Sequence, residues 1–380
     1  MAAGGPGSWA PDFGPFDRRV WLNCAHQGPL PRVAVEAAKN SLEDKINPSR
    51  IADEDFFRLP HALKRALARL IRVDARDVIL GNSASYGLHI LRNGLRWKPG
   101  DEVLSVTNEF PASIYPWMGL REQGVRVRLI KPRGPSLTAE ELDSEVGPRT
   151  RLLCISWVNS FNGGVLDVAR IGRVCKQNGT LFALNASQGV GARTISVESG
   201  PVDALVSCGT KWLCGPYGTG FAWFRSSFRE TFESCQTYWL PNAWGGDLTR
   251  YRLRSDLGAD AFDVFGTANF LNFAPWLASV RYLQSAGLRR IQQHNEALVD
   301  SLTRGATERG WRSLSPPEPK KRSAIVALTH PRPGSNGKIF ASLQKSGIDV
   351  ALRAGSLRFS PHLYNIPEDI ERALSIMGHS

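Results

Sequence analysis

Along the middle of the chain, short apolar runs alternate with segments whose apolar positions recur at helical spacing. Runs at 103–106, 125–130, 152–157, 181–185, 204–208 and 221–224 are bounded by turn residues, which predicts short buried strands. Between them, 166–178 has helical spacing with a glycine at its end, and 113–123 also reads as helix. Strands alternating with helices predict an α/β domain around a mostly parallel sheet, in which ligands sit at the carboxyl ends of the strands. A long helical pattern then runs from 270 to 310. It is followed by a short strand (324–328), a helix (336–346), a strand near 357–360 and a last helix from Pro367. That order predicts a smaller α+β domain. The expected division is a lead-in over 1–20, a large domain over 21–265 and a small domain over 266–380, with the boundary between 260 and 275.

Length supports this division, because 380 residues suffice for two cores. Met1 to Pro15 is rich in Gly, Pro and Ala and has neither a basic nor an apolar signal region, so a poorly ordered lead-in and a cytoplasmic protein are expected. No apolar run approaches the roughly 18 residues a membrane helix needs. Charge changes the picture little. The 47 Lys and Arg against 35 Asp and Glu give +12, but the basic residues are spread along the chain. The run Lys320-Lys321-Arg322 lies between proline-rich stretches and reads as an exposed loop. A solvated surface is expected rather than a nucleic-acid interface, with a preference for anionic substrates as the second reading. The six cysteines (Cys24, Cys154, Cys175, Cys208, Cys214, Cys235) form no C-x-x-C pair and no zinc spacing, so free thiols and no metal are expected.

Chemistry concentrates in the stretch from Ser207 to Phe221, where Lys211 follows an expected buried strand and closely spaced glycines follow Lys211. An ammonium is costly to bury at a strand end unless it is deprotonated or used covalently. Schiff-base formation with an aldehyde requires a neutral amine of this kind. The glycines let backbone approach a bulky ligand.

The segments around this lysine resemble, in the right order and from Trp21 to Met377, the class-V aminotransferases of pyridoxal-phosphate (PLP) fold type I. That group contains cysteine desulfurases and isopenicillin-N epimerase. The resemblance implies a large α/β domain with a mostly parallel sheet, a small C-terminal α+β domain, and PLP held by Lys211 as a Schiff base. Asn82-Ser83-Ala84-Ser85 resembles the phosphate loop opening a helix, which implies that Ala84 and Ser85 border the phosphate. Phe110, within Asn108-Glu109-Phe110-Pro111, is implied to stack on the pyridine ring. Ser156-Trp157-Val158-Asn159 resembles a strand end near the ring, with Asn159 or Ser160 as the contact. Asn185-Ala186-Ser187-Gln188 resembles the segment that places Gln188 near the phenolic oxygen and residue 185 at the pyridine nitrogen. Cys208 and Thr210 are implied to border the phosphate. Gly266-Thr267 matches a segment that completes the partner's phosphate site in a homodimer. Arg358 matches the arginine that grips a substrate α-carboxylate, as a fork of donors can.

Three departures shape the expected reaction. Asn185 stands where the family has an acid, and a neutral amide favours a protonated ring nitrogen less. Thr210 stands where a histidine is usual, which removes a proton carrier next to Lys211. No cysteine follows Cys235, so the mobile nucleophilic thiol of cysteine desulfurases is missing. The expected reaction on an amino acid is aminotransfer, then C–S or other β-elimination, then epimerisation. A non-catalytic protein of the same fold is the competing class.

Overall fold

The computed structural model describes residues 9–198, 200–233, 236–243, 249, 251–266 and 268–378. Its centre is a seven-stranded sheet of β2 (Val78–Gly81), β3 (Glu102–Val106), β4 (Arg126–Ile130), β5 (Thr150–Ser156), β6 (Leu181–Asn185), β7 (Ala204–Cys208) and β8 (Gly220–Phe224). The strand order is β2-β8-β7-β6-β5-β3-β4. The five strands from β7 to β4 pair in parallel, whereas β8 runs antiparallel to both its neighbours. Strands β6 and β7 have the expected bounds, and the other four expected strands shift by one or two residues at an end. Such strands carry near-continuous apolar runs because both sheet faces are covered.

Helices α1 (Arg32–Ile46), α2 (Asp55–Ile71), α3 (Ala84–Gly94), α4 (Val168–Gln177), α5 (Phe270–Ala286), α6 (Leu288–Glu308), α7 (Asn336–Lys345) and α8 (Pro367–Met377) complete the frame. The long helical pattern from 270 is two helices, broken at Gly287 in the left-handed region (φ 86°). The expected helix at 113–123 is instead three short turns, because Pro116 and Gly119 interrupt it. No described helix is long and apolar enough to cross a membrane.

A second sheet, ordered β12-β13-β10-β9, comprises β9 (Arg312–Ser313), β10 (Val326–Thr329), β12 (Ala351–Arg353) and β13 (Ser356–Phe359). Two short parallel strands, β1 (Val20–Trp21) and β11 (Ile348–Asp349), tie the beginning of the chain to its end. Side chains of β1, α6, α7, α8 and this second sheet form one apolar cluster. Helix α5 belongs elsewhere. Phe273, Trp276, Val280 and Leu283 share the core of the large sheet, and so does Ile291 at the start of α6.

The lead-in also departs from expectation. From residue 9 onward it is docked: Trp9 and Phe13 are buried, Trp9 meets His294 edge-on, and Phe13 packs on Tyr282 and Tyr364. Two large aromatics outweigh the glycine- and proline-rich composition around them. The basic run is likewise split. Lys320 and Lys321 are exposed, but Arg322 is buried and paired with Asp300. The five described cysteines are free thiols, and Cys235 lies outside the described residues.

Candidate active site

The carboxyl ends of the parallel strands converge on one cavity of about 200 Å³. Each side of it is built by a different strand end. The turn after β7 brings Cys208, Thr210 and Lys211, β6 ends on Asn185 with Ser187 and Gln188 following, and β5 ends on Ser156. Phe110 comes from the loop after β3, and Ser83, Ala84 and Ser85 from the start of α3.

Two close approaches of backbone make this convergence possible. A Cβ on Gly220 would lie 2.4 Å from the Ser83 carbonyl carbon, and one on Gly28 would lie 2.0 Å from the Lys211 carbonyl oxygen. Only glycine lets β8 press against the α3 start and the amino-terminal segment press against the lysine turn. The Ser83 hydroxyl caps α3 by accepting from the Tyr86 N–H. The remaining N–H groups of that first turn face an anion well.

The Lys211 ammonium stands 5.0 Å from the centroid of the Phe110 ring, whose side chain is 42% exposed. One aromatic face is therefore presented to the space that the amine borders. On the other side the polar groups are fixed. Gln188 accepts at Oε1 from Trp212 Nε1 (2.8 Å) and donates from Nε2 to the Ala25 carbonyl (3.0 Å). Asn185 donates from Nδ2 to Ser113 Oγ (3.0 Å) and accepts at Oδ1 from the Ser187 N–H (3.2 Å).

Eight of the twelve expected site residues thus border the cavity together: Ala84, Ser85, Phe110, Asn185, Gln188, Cys208, Thr210 and Lys211. Asn159 does not. Its Oδ1 accepts from the Phe161 and Asn162 N–H groups, which closes a local turn, and Ser156 and Ser160 face the cavity instead. Gly266 is exposed, donates its N–H to Tyr238 Oη (3.0 Å) and is not among the cavity-lining residues. Thr267 lies outside the described residues. Arg358 is buried (4% exposed) on β13 and reaches the same rim, donating from Nη1 to the carbonyl of the cavity-lining Ser160 (2.9 Å). Its Nε has no partner, and burial followed by repulsion from Arg353 holds its pKa down at about 10. A buried guanidinium with a free donor has the chemistry to bind a carboxylate.

Sequence reasoning overlooked Glu109. Its buried carboxylate accepts from the Phe110 N–H (2.6 Å), the Ser156 N–H (2.8 Å) and Ser156 Oγ (2.5 Å). Burial pushes its pKa up while these bonds pull it down. It locks the loop that presents Phe110 to the end of β5. An acid directly before the stacking aromatic was the available signal.

A large sheet with a lysine at one strand end, a helix start opposite and a small domain holding an arginine define the PLP fold-type-I class. The donor set suits that cofactor: a helix start for phosphate, an aromatic face for the ring, an amine beside it, and a buried arginine whose Nε has no partner among the described residues. The family model "Aminotransferase class-V" matches residues 39–372, and the chain belongs to that family of PLP-dependent enzymes. It is 27% identical over 296 residues to a probable cysteine desulfurase of Methanothermobacter thermautotrophicus, covering 74% of this chain and 71% of that protein. To the isopenicillin N epimerase of Streptomyces clavuligerus it is 26% identical over 371 residues, covering 93% and 92%. The solved structure of a cystine C–S lyase with its product cysteine persulfide superposes with a TM-score of 0.87 at 23% identity, covering 95% of this chain and 97% of that one.

Proposed function

We propose that the chain is a PLP-dependent enzyme acting on an α-amino acid, with Lys211 as the amine that carries the cofactor and Arg358 as the carboxylate receptor. Arg358 carries the reading: a buried guanidinium without a counterion, on the same rim as Lys211, fits an incoming carboxylate. PLP supplies an electron sink for charge developing at the substrate α-carbon. The chain's own residues do the rest. The α3 start, Cys208 and Thr210 bind the phosphate, Phe110 covers the ring, and Gln188 and Asn185 orient its polar edge. Arg358 fixes the carboxylate, and Lys211 then moves the proton at the α-carbon.

Aminotransfer is the net reaction we place first. A C–S or other β-elimination is the second reading, favoured by Asn185, a neutral amide satisfied by Ser113 and Ser187. The chain has no cysteine beyond Cys235, and β12 and β13 join through a tight turn at Ala354 and Gly355. Persulfide formation on a loop thiol therefore has no residue to use there, so this is not a typical cysteine desulfurase. A homodimer is part of the same proposal, supported by exposed Trp239, Leu253 and Phe265 near Gly266 in sequence. Sedimentation of the PLP-loaded protein tests it.

Purified protein is expected to be yellow, with a visible band that borohydride abolishes and that Lys211→Ala lacks. A colourless protein that takes up no PLP ends this reading. An amino-acid panel scored for keto acid, for pyruvate with thiol, and for altered chirality then selects the reaction.

A further inference from the structure

The rim of the cavity holds more positive charge than one carboxylate needs. In the β12–β13 hairpin Ala351 faces Arg358 and Arg353 faces Ser356. Residues two apart on a strand share a face, so Arg353 and Arg358 stand on the same face, diagonal across the ladder. Their Cβ atoms are then about 7 Å apart, within reach of one extended ligand. Arg358 is the buried member; Arg353 is exposed and forms no ion pair with a described residue. Its hydrogen bond is a long one, from Nη1 to the Leu352 carbonyl (3.5 Å).

His26 lies at the same place. Its backbone is pinned on both sides by the site: the Ala25 N–H donates to Ser360 Oγ (3.0 Å), the Ala25 carbonyl accepts from Gln188 Nε2 (3.0 Å), and the Gly28 N–H donates to the Thr210 carbonyl (2.8 Å). Its side chain is exposed. Partial burial, and then the charges of Arg353, Arg358 and Lys211, lower its pKa.

The cofactor occupies Lys211, and a single α-carboxylate occupies the Arg358 fork. Arg353 and His26 are left over, both exposed, the first on the same hairpin face as Arg358 and the second in the segment pinned to Gln188, Thr210 and Ser360. We infer that Arg353 and His26 form a second anion subsite, and that the substrate is an amino acid carrying a second carboxylate on its side chain. This rests on the reading of Arg358 as the α-carboxylate receptor. Two arginines on one face of the β12–β13 hairpin discriminate by charge: a neutral side chain leaves Arg353 solvated, whereas an acidic one adds a charge-assisted contact.

Glutarate and butyrate test this, because neither carries an amine and both bind without reacting. Calorimetry on the PLP-loaded protein is expected to show glutarate binding about tenfold tighter than butyrate. Arg353→Gln should erase that preference while leaving butyrate within about twofold. His26→Gln should reduce it by a smaller factor and remove its growth below neutral pH, where His26 gains its proton beside Lys211, Arg353 and Arg358. Glutarate binding no tighter than butyrate, or Arg353→Gln weakening both alike, overturns the subsite. The two readings fail separately. Protein that takes up no PLP yet still prefers glutarate loses the cofactor and keeps the subsite; yellow protein indifferent to the second carboxylate does the reverse.

Discussion

Lys64 and Arg358 are both cations taken out of water, in two different parts of the molecule and with opposite outcomes. Lys64, on α2, lies 2.5 Å from Asp260 and 2.8 Å from Asp263. Burial alone would lower its pKa, but the two carboxylates outweigh it and the pKa is raised. Arg358, on β13, has a backbone carbonyl and no carboxylate, and its pKa falls to about 10. That fall from the usual guanidinium range corresponds to roughly 3 kcal/mol, set by burial first and by repulsion from Arg353 second. Lys64 is neutralised from within and ties α2 to the turn at 260–263, beside β2, where Asp263 also accepts from the Leu80 N–H (2.8 Å). Arg358 has no such partner among the described residues and is the charge proposed to receive an anion from outside. The difference separates a charge that holds the fold from a charge free to hold a ligand.

The largest effect is expected on the paired side. Lys64→Met leaves Asp263, already pushed up to about 6 by burial, without its cation. A loss of about 3–4 kcal/mol in urea unfolding is expected, with Asp263→Asn added to Lys64→Met recovering part of it. A loss below about 1 kcal/mol would break the comparison, since Lys64 would then be no more structural than a surface lysine.

The unpaired side should respond with the opposite sign. Arg358→Met removes a buried charge that no carboxylate among the described residues offsets, so the fold is expected to gain about 2 kcal/mol while butyrate binding disappears. The pH dependence fixes the cause. Arg358 has its folded pKa depressed, so the burial cost is fully present below about pH 10 and fades as pH rises above it. The advantage of Arg358→Met should shrink over that rise. A destabilised Arg358→Met would mean that the arginine is held for packing.

The contrast between these cations also marks what the sequence could disclose. The strands, the lysine turn and Asn185-Ala186-Ser187-Gln188 were legible, because short apolar runs and local segments are written in neighbouring residues. The partnership of Lys64 with Asp263 was not, since it joins residues 199 positions apart whose charges look like any others on a surface helix and a loop. Asn159 misled for a related reason. An asparagine near a strand end serves a turn as readily as a ligand, and only the N–H groups of Phe161 and Asn162 decide between them. Trp9 and Phe13 were masked by the composition around them, although an aromatic pair in a glycine-rich segment has few reasons to be there except burial.

Asn185 offers a third case, in which a charge can be added rather than removed. The pocket can host an acid there at small cost: the Ser187 N–H already donates to Oδ1, and the Ser113 hydroxyl, now an acceptor, can rotate to donate. Two donors remain for a carboxylate that is otherwise buried, so Asn185→Asp should destabilise the protein without PLP by about 1 kcal/mol. Without the cofactor, the new carboxylate resembles Arg358, a charge waiting for its counterpart. With the cofactor bound as proposed, a protonated ring nitrogen beside residue 185 would supply that counterpart, and the site would come to resemble Lys64. Thermal unfolding should therefore show a larger stabilisation by PLP in Asn185→Asp than in the unaltered protein, and the pH at which the visible band changes should move. Equal stabilisation of the two proteins would place the ring nitrogen away from residue 185, and the argument that a neutral amide weakens the electron sink would go with it.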